Sequence, residues 1–470
     1  MCGVMGVFAP READVFDDLT RGLFQMQHRG QDACGIALGD GEGLDLHRGL
    51  GYVREVFASR PHDGFRGCVG CGHVRYPTQG GNRLQNAQPH RIDSFADVPL
   101  ALASNGDLTN YDSVRRQLEG VGIVFSGRND AELILNFLAW KHLRCGSSLR
   151  EAIRALQAEV HGAYSACLMT PDALHAFCDP FGLRPLCFGG EGGRWFVASE
   201  TTALDINLVD LADELAPGEI VSFTRAGVER WAHPDPVAAR GGRATPAHCV
   251  FEYIYFSRPD AIAFGQRVYD VRKRIGHWLA THDRSEGDVV VPVPDSSNAV
   301  ALGYAQAAGL PFEFGLIRNH YVGRTFISPD QPRRDDGVRM KFNPLRNVFK
   351  GRRVILVDDS IVRGTTSRKL VRMVRGAGAT EVHLRIGSPV TRYSCFYGID
   401  TPTAEELIGN RLDIEEICAH LTADSLMYMD VESLCEVVGN PERFCMACFD
   451  GAYPVPIVEA KQARQAQTAG

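Results

Sequence analysis

The sequence predicts a two-domain protein, a strand-rich α+β unit followed by an α/β unit with a parallel sheet, and three observations carry that prediction. The stretch AHPDPVAARGGRATPAH, residues 232–248, replaces apolar periodicity with Pro, Gly and Ala and reads as a linker. Before it, short alternating runs such as ALASNGDL (101–108) and RWFVASE (194–200) lie between turn signals and helical stretches such as DAELILNFLAWKHL (130–143). After it, strands and helices alternate: DVVVPVPD (288–295), SNAVALGYAQAAG (297–309), RRVILVDD (352–359), TSRKLVRMVRGAG (366–378) and EVHLRIGSP (381–389). That βαβ order requires a parallel sheet with helices on both faces. The expected boundaries are 2–231 for the first domain, 232–248 for the linker, 249–453 for the second domain and 454–470 for a tail.

At 470 residues, 44% apolar and 23% charged, the chain can bury two or three full cores and is neither disordered nor fibrous. A net charge of -7 argues against a broad nucleic-acid footprint, which needs a basic face. No apolar run reaches the length of a membrane span, and the N-terminus lacks the pattern of a signal peptide, so a cytoplasmic protein is expected. In that setting fourteen cysteines read as thiols, metal ligands or a nucleophile rather than a disulfide framework.

Two stretches carry chemistry. The chain opens MCGVMGVFAP, so removal of the initiator Met before a small residue leaves Cys2 with a thiol and a free α-amine, a nucleophile with its own base. In VILVDDSIVRGTTSRKLVRMV, residues 354–374, a buried strand ends in Asp358 and Asp359. A loop with Arg363, Gly364, Thr365 and Thr366 follows, and a helix begins near Ser367. Ligands of open α/β sheets bind beyond the strand carboxyl ends, and a helix N-terminus presents free N–H groups to phosphate. The loop suits a monophosphate, and the carboxylates suit ribose hydroxyls or Mg²⁺. A second strand end carries Asp295, Ser296 and Ser297, suited to a pyrophosphate and its metal, and residues 324–353 hold nine Lys or Arg against three Asp, a lid for an anion. The bland alternatives are an acidic strand end, a capped helix and a solvated charged face.

Cysteine spacing leaves more open. Cys445 and Cys448 form a C-x-x-C, as do Cys68 and Cys71. Such pairs suit zinc, a redox dithiol or an iron–sulfur cluster, and a zinc site joining both pairs is the simplest reading of the residues alone.

The motifs MCG, HRGQDACGI (28–36), GHVRYPT (72–78), SNGDLTN (104–110) and RNDAELI (128–134) resemble an N-terminal-nucleophile glutaminase, and VILVDDSIVRGTTS resembles the phosphoribosyl-pyrophosphate (PRPP) motif of type I phosphoribosyltransferases. Together, with FEYIYFSRPD (251–260) between them, they resemble the glutamine PRPP amidotransferase family from Cys2 to about Tyr453. The resemblance implies an N-terminal-nucleophile hydrolase αββα sandwich followed by a type I phosphoribosyltransferase domain. It implies an enzyme that makes 5-phosphoribosylamine from PRPP and glutamine, the first step of purine synthesis, passing ammonia between two active sites.

By that resemblance Cys2 is the nucleophile and Asn105 and Gly106 are the oxyanion donors. Arg75 and Thr78 hold the glutamine α-carboxylate and Asp130 its α-ammonium. Asp295, Lys341, Asp358, Asp359 and the loop from Arg363 through Gly364, Thr365 and Thr366 to Ser367 bind PRPP, with Mg²⁺ on Ser296, Asp358 and Asp359. The loop 321–327 and Lys341 close over PRPP, and Tyr255 and Arg258 couple that closure to the glutaminase. A [4Fe–4S] cluster on Cys249, Cys395, Cys445 and Cys448 is implied by the segments around those cysteines. Cys34, Cys68 and Cys71 fall outside the pattern and read as packing, Cys34 also as an oxidation liability, and the six others (Cys145, Cys167, Cys178, Cys187, Cys418, Cys435) as buried thiols. Purine nucleotides as feedback inhibitors and a homotetramer or homodimer are further expectations. A PRPP-binding regulator would not need the Cys2 constellation, and a hexosamine-phosphate synthase would lack the PRPP motif.

Overall fold

A computed structural model describes residues 1–76, 81–93, 98–233, 246–320 and 340–457. The first half is two stacked antiparallel sheets. One runs, in spatial order, Leu211–Glu214, Cys187–Glu191, Arg194–Ala198, Gly3–Phe8, Val69–Arg75, Ala33–Gly39 and Leu44–Leu50. The other runs Gly227–Trp231, Ile220–Thr224, Leu174–Cys178, Gly162–Met169, Leu100–Leu108 and His90–Ile92.

Strand residues alternate between faces, so each strand feeds two different cores. Val4, Phe8, Val69 and Cys71 meet Ala101, Ala103, Cys167 and Met169 between the sheets. Met5, Val7, Ile36 and Val74 instead pack beneath Leu19 and Leu23 of the helix Phe16–Gln25. On the far side Leu100, Leu102 and Leu168 pack beneath Leu133, Phe137, Ile153 and Leu156 of the helices Asp130–Ala139 and Leu149–Glu159. The result is the αββα sandwich, and burial on both faces explains why strands such as Gly3–Phe8 and Gly162–Met169 are buried along their whole length.

In the second half four parallel strands lie in chain order: Val289–Pro292, Arg353–Asp358, Glu381–Ile386 and Ser425–Tyr428. Val290, Ile355 and Val357 face one helical layer, including Val268–His282, while Val289, Val291, Val354 and Leu356 face another, including Thr365–Gly376. The fourth strand, SLMY, is a short half-buried edge with no strong apolar signal in the sequence. The expected linker ends earlier than its composition suggests. Ala247 N–H donates to the Phe181 carbonyl at 2.8 Å, and His248–Cys249 pairs in parallel with Phe444–Cys445. Residues 234–245 lie outside the described set.

The halves share a core and a buried ion network. Ala163, Phe181 and Leu183 of the first pack with Val250, Tyr253, Ile254, Cys395 and Tyr397 of the second. Arg29, wholly buried, pairs with Glu200 at 2.5 Å and with Glu252 at 2.9 Å. A buried charge is tolerable only when paired this closely, which makes Glu252 a fixed point between the halves.

Candidate active sites

Cys2 sits at the edge of the Gly3–Phe8 strand, and its main-chain N–H donates to Asn105 Oδ1 at 3.1 Å. Tyr76 N–H lies 3.5 Å from the Cys2 sulfur, and Arg29 Nε donates to the Cys2 carbonyl at 3.0 Å. The Asn105 Nδ2 is buried and has no hydrogen-bond partner among the described residues, leaving an unspent donor beside the thiol. Burying an amide donor unpaired is costly, so such an atom marks a place where a ligand oxygen belongs.

A pocket opens here, lined by Cys2, Arg75, Tyr76, Gly106, Arg128, Asn129 and Asp130 among others. Arg75 is nearly buried, donates to the Gly81 carbonyl at 2.8 Å, and is destabilised by burial while Cys2 and Asp32 favour its charge. Asp130 accepts from Leu108 N–H at 3.3 Å. Asn129 caps the helix Asp130–Ala139, accepting from Ala131 N–H at 2.8 Å, and Asp130 lines the pocket from the helix's first turn. Thr78 lies outside the described residues. Tyr76, Arg128 and Asn129 are lining residues the motifs contained but the sequence reading did not single out.

At the carboxyl end of the second sheet, Asp358 and Asp359 are both buried. Ser297 Oγ donates to Asp358 at 3.4 Å, Ser360 Oγ to Asp359 at 2.6 Å, and Ser296 Oγ also donates to Asp359. Burial raises both acids, and for Asp358 the neighbouring Asp359 charge adds to the rise, while Lys341 acts against it on each. Two strand ends thus bring Ser296, Asp358 and Asp359 together as an oxygen-only donor set, with Lys341 within electrostatic reach. The helix begins at Thr365, with Gly364 as its N-cap, slightly before the expected Ser367. Asp295 is ion-paired with Arg318, and Arg363 with Glu406 at 3.3 Å, both near the surface. Residues 321–339, with the loop 321–327 and most of the basic stretch, lie outside the described residues.

The four thiols of Cys249, Cys395, Cys445 and Cys448 come from three segments and all interact electrostatically with one another around Cys448. Arg184, fully buried, faces Cys249 and Cys395. Cys68 and Cys71 lie far from this group in chain and core, between the two sheets, so a zinc site joining the two C-x-x-C pairs does not form. Among the described residues no three or more His, Cys, Asp or Glu side chains are grouped, as they stand, to hold a metal ion. Cys34 is not an oxidation liability, because burial pushes its thiol up to about 12 and keeps it protonated. Of the six remaining cysteines Cys167, Cys178 and Cys187 are buried, but Cys418 and Cys435 are half-buried and Cys145 is exposed.

A glutamine amidotransferase domain model matches residues 82–206 and a phosphoribosyl transferase domain model matches 265–386. The chain is 41% identical over 469 residues to an amidophosphoribosyltransferase of Methanocaldococcus jannaschii, covering 97% of this chain and 98% of that one. It is 42% identical to that of Bacillus subtilis, covering 97% and 95%. The solved structure of the B. subtilis glutamine PRPP amidotransferase, complexed with ADP and GMP, superposes with a TM-score of 0.88 over 97% of this chain and 98% of that one, at 41% identity. The chain belongs to the amidophosphoribosyltransferase family. The family's two activities correspond to the two sites, one on each half of the chain.

Arg258, expected to couple the two halves, does touch both, its N–H donating to Glu200 at 3.1 Å and its side chain to Gln25 at 3.3 Å. Arg272, buried beside Asp359, donates to the carbonyls of Tyr253 at 2.7 Å and Ser257 at 2.8 Å, so the PRPP-side carboxylate and the bridging segment share one cation. Tyr255, by contrast, is partly exposed and stacks edge-on with Phe256.

Proposed function

We propose that the chain makes 5-phosphoribosylamine from PRPP and glutamine by the following division of labour. With Met1 removed, the Cys2 α-amine takes the thiol proton as the sulfur attacks the glutamine amide carbon. An α-amine with a pKa of about 7.7–8.0 is matched to that transfer near neutral pH. The oxyanion that forms is received by Asn105 Nδ2 and the Gly106 N–H, ammonia leaves with the transferred proton, and water then releases glutamate from the thioester. Arg75 pairs with the α-carboxylate and Asp130 with the α-ammonium, so a charge at each end of the amino acid holds the amide over the thiol. Thr78 belongs to this set by resemblance.

Ammonia then displaces pyrophosphate from C1 of PRPP. Asp358 and Asp359 hold the ribose hydroxyls, the loop Arg363 to Thr366 the 5-phosphate, and Asp295 and Lys341 the pyrophosphate side. The donor set Ser296, Asp358 and Asp359 fits Mg²⁺, a hard cation that would neutralise the leaving pyrophosphate. The four thiols fit a [4Fe–4S] cluster, which would cross-link the C-terminal segment to the transferase domain, and about four irons and four sulfides per chain in anaerobically purified protein are expected. One zinc and no broad absorption near about 400 nm would overturn that assignment. Feedback by purine nucleotides fits the ADP and GMP carried by the Bacillus relative. A homodimer or homotetramer acting in the cytoplasm completes the proposal; no helix among the described residues is long and apolar enough to cross a membrane.

The observation that carries the reading is the Cys2–Asn105 contact with its unspent Nδ2 donor, in one chain with the paired strand-end carboxylates. Glutamine-dependent release of pyrophosphate from PRPP tests it, and a purified enzyme that releases none with glutamine or with ammonia refutes it.

A further inference from the structure

The segment that carries Cys395 does more than supply a thiol. A β-carbon on Gly398 would stand 3.3 Å from the Gly106 carbonyl carbon, 3.5 Å from its Cα and 3.4 Å from Arg184 Nη2. Gly398 has φ +107°, a conformation that residues other than glycine rarely adopt, so the backbone reserves the position for glycine, and an added β-carbon would press lightly on the Gly106 backbone. From the other side a β-carbon on Gly106 would meet the Ala163 carbonyl oxygen at 1.8 Å. The Gly106 backbone therefore lies between the strand Gly162–Met169 of its own half and Gly398 of the other, with little room for a side chain on either glycine.

The Gly398 side of this clamp is itself fixed. Arg184 donates through Nε, at 3.0 Å, and through Nη2 to the Tyr397 carbonyl. Ser165 Oγ, on the residue paired with Asn105, donates to the Arg184 carbonyl at 2.8 Å. Thr401 Oγ1 accepts from Cys395 N–H at 2.7 Å, and Tyr397 OH donates to the Val455 carbonyl at 2.6 Å. Both oxyanion residues are thus tied to the segment Cys395–Thr401, Asn105 through Ser165 and Arg184, Gly106 by direct contact.

We propose that Gly398 is a positioning residue for the glutaminase reaction, setting the Gly106 peptide from the transferase half. The proposal rests on Gly106 being an oxyanion donor. An oxyanion hole acts only where its donors meet the transition state, and since a displacement of about 1 Å can cost about 100-fold, the smaller shift that a β-carbon on Gly398 would impose on Gly106 should cost several-fold. Misplacing Gly106 therefore lowers kcat for glutamine without weakening the grip on its charged ends.

Gly398→Ala is the test. The expected result is a fall of about 5- to 10-fold in kcat for glutamine hydrolysis, with glutamine KM within about twofold of wild type. Ammonia-dependent phosphoribosylamine formation, and the rate at which iodoacetamide alkylates Cys2, stay near wild type. An unchanged kcat, a rise in KM alone, or an equal fall in both half-reactions overturns the proposal. If Gly398→Ala does not accumulate as folded protein, Thr401→Val loosens the same segment without adding bulk. There a several-fold kcat loss confined to glutamine hydrolysis supports the proposal and an unchanged kcat overturns it. Ammonia-dependent turnover of the wild type reads the enzyme assignment separately.

Discussion

The two active sites are built on opposite principles. The glutaminase site lies among strand interiors, where Cys2, Asn105 and Arg75 are set by the hydrogen-bond register of two sheets and by packing on both faces. The transferase site lies beyond strand ends, where Ser296, Asp358, Asp359 and the Gly364 loop are placed by turns and a helix start. In the first the polar groups are already oriented toward developing charge. In the second two adjacent carboxylates are buried at a cost to their charged forms. Rigid donors suit a reaction whose oxyanion appears at one point. Carboxylates held at raised pKa suit a site that gathers a metal and a highly charged substrate.

The sharpest break between the sites is at Cys2. Cys2→Ala should lower glutamine-dependent turnover by about 10⁴-fold or more while ammonia-dependent turnover persists, because the halves divide the reactions. Intact mass should show that the active enzyme begins at Cys2. Fully active protein that retains Met1 would sink the α-amine as base.

Next in size is the mirror image. Asp358→Asn with Asp359→Asn should remove PRPP-dependent turnover by about 10³-fold with either nitrogen source, measured as pyrophosphate release, while the protein stays folded. Near wild-type rates would refute the ribose and metal assignment.

Smaller effects grade the glutaminase site. Asn105→Ala should cost about 10²- to 10³-fold in kcat for glutamine with little change in KM, the signature of a transition-state contact. Asp130→Asn should act on KM instead, by about tenfold, since it removes a charge that grips the ground state equally. Exchange of those two signatures would show that the pocket is oriented the other way.

The smallest effect is on stability. An acid whose pKa is higher folded than unfolded holds its proton longer when folded. Stability from Asp358 and Asp359 is therefore greatest below the unfolded value near about 4 and is lost as pH rises through the folded values. At neutral pH Asp358→Asn should stabilise the metal-free protein by about 1 kcal/mol, a rise of about 1 °C in Tm for a chain of this length. Mg²⁺ should raise the Tm of wild type and not of the double variant. A fall in Tm for Asp358→Asn would show that its hydrogen bonds outweigh its charge.

Much of this was legible in the chain. The βαβ alternation after residue 248, the acidic strand end at 358–359 and the Cys-Gly start each need only local physics, period, length and residue chemistry. The edge strand Ser425–Tyr428 was not legible, because a half-buried strand of four residues has no period long enough to see. Nor was the fate of the cysteines. Cys68 and Cys448 sit in equally suggestive C-x-x-C pairs, and only the fold places one between sheets and the other beside three more thiols.

By itself the sequence determined the two-domain order and the candidates, namely a cysteine at position 2, the paired carboxylates and the clustered C-x-x-C thiols, since these depend on residue type and near neighbours. The tertiary structure alone decided which of those groups meet. It set Asn105 against Cys2 across 103 residues, Glu252 against Arg29 across 223, and Gly398 against Gly106. Contacts of that separation arise from how sheets stack and which core a loop crosses, and no local pattern encodes them.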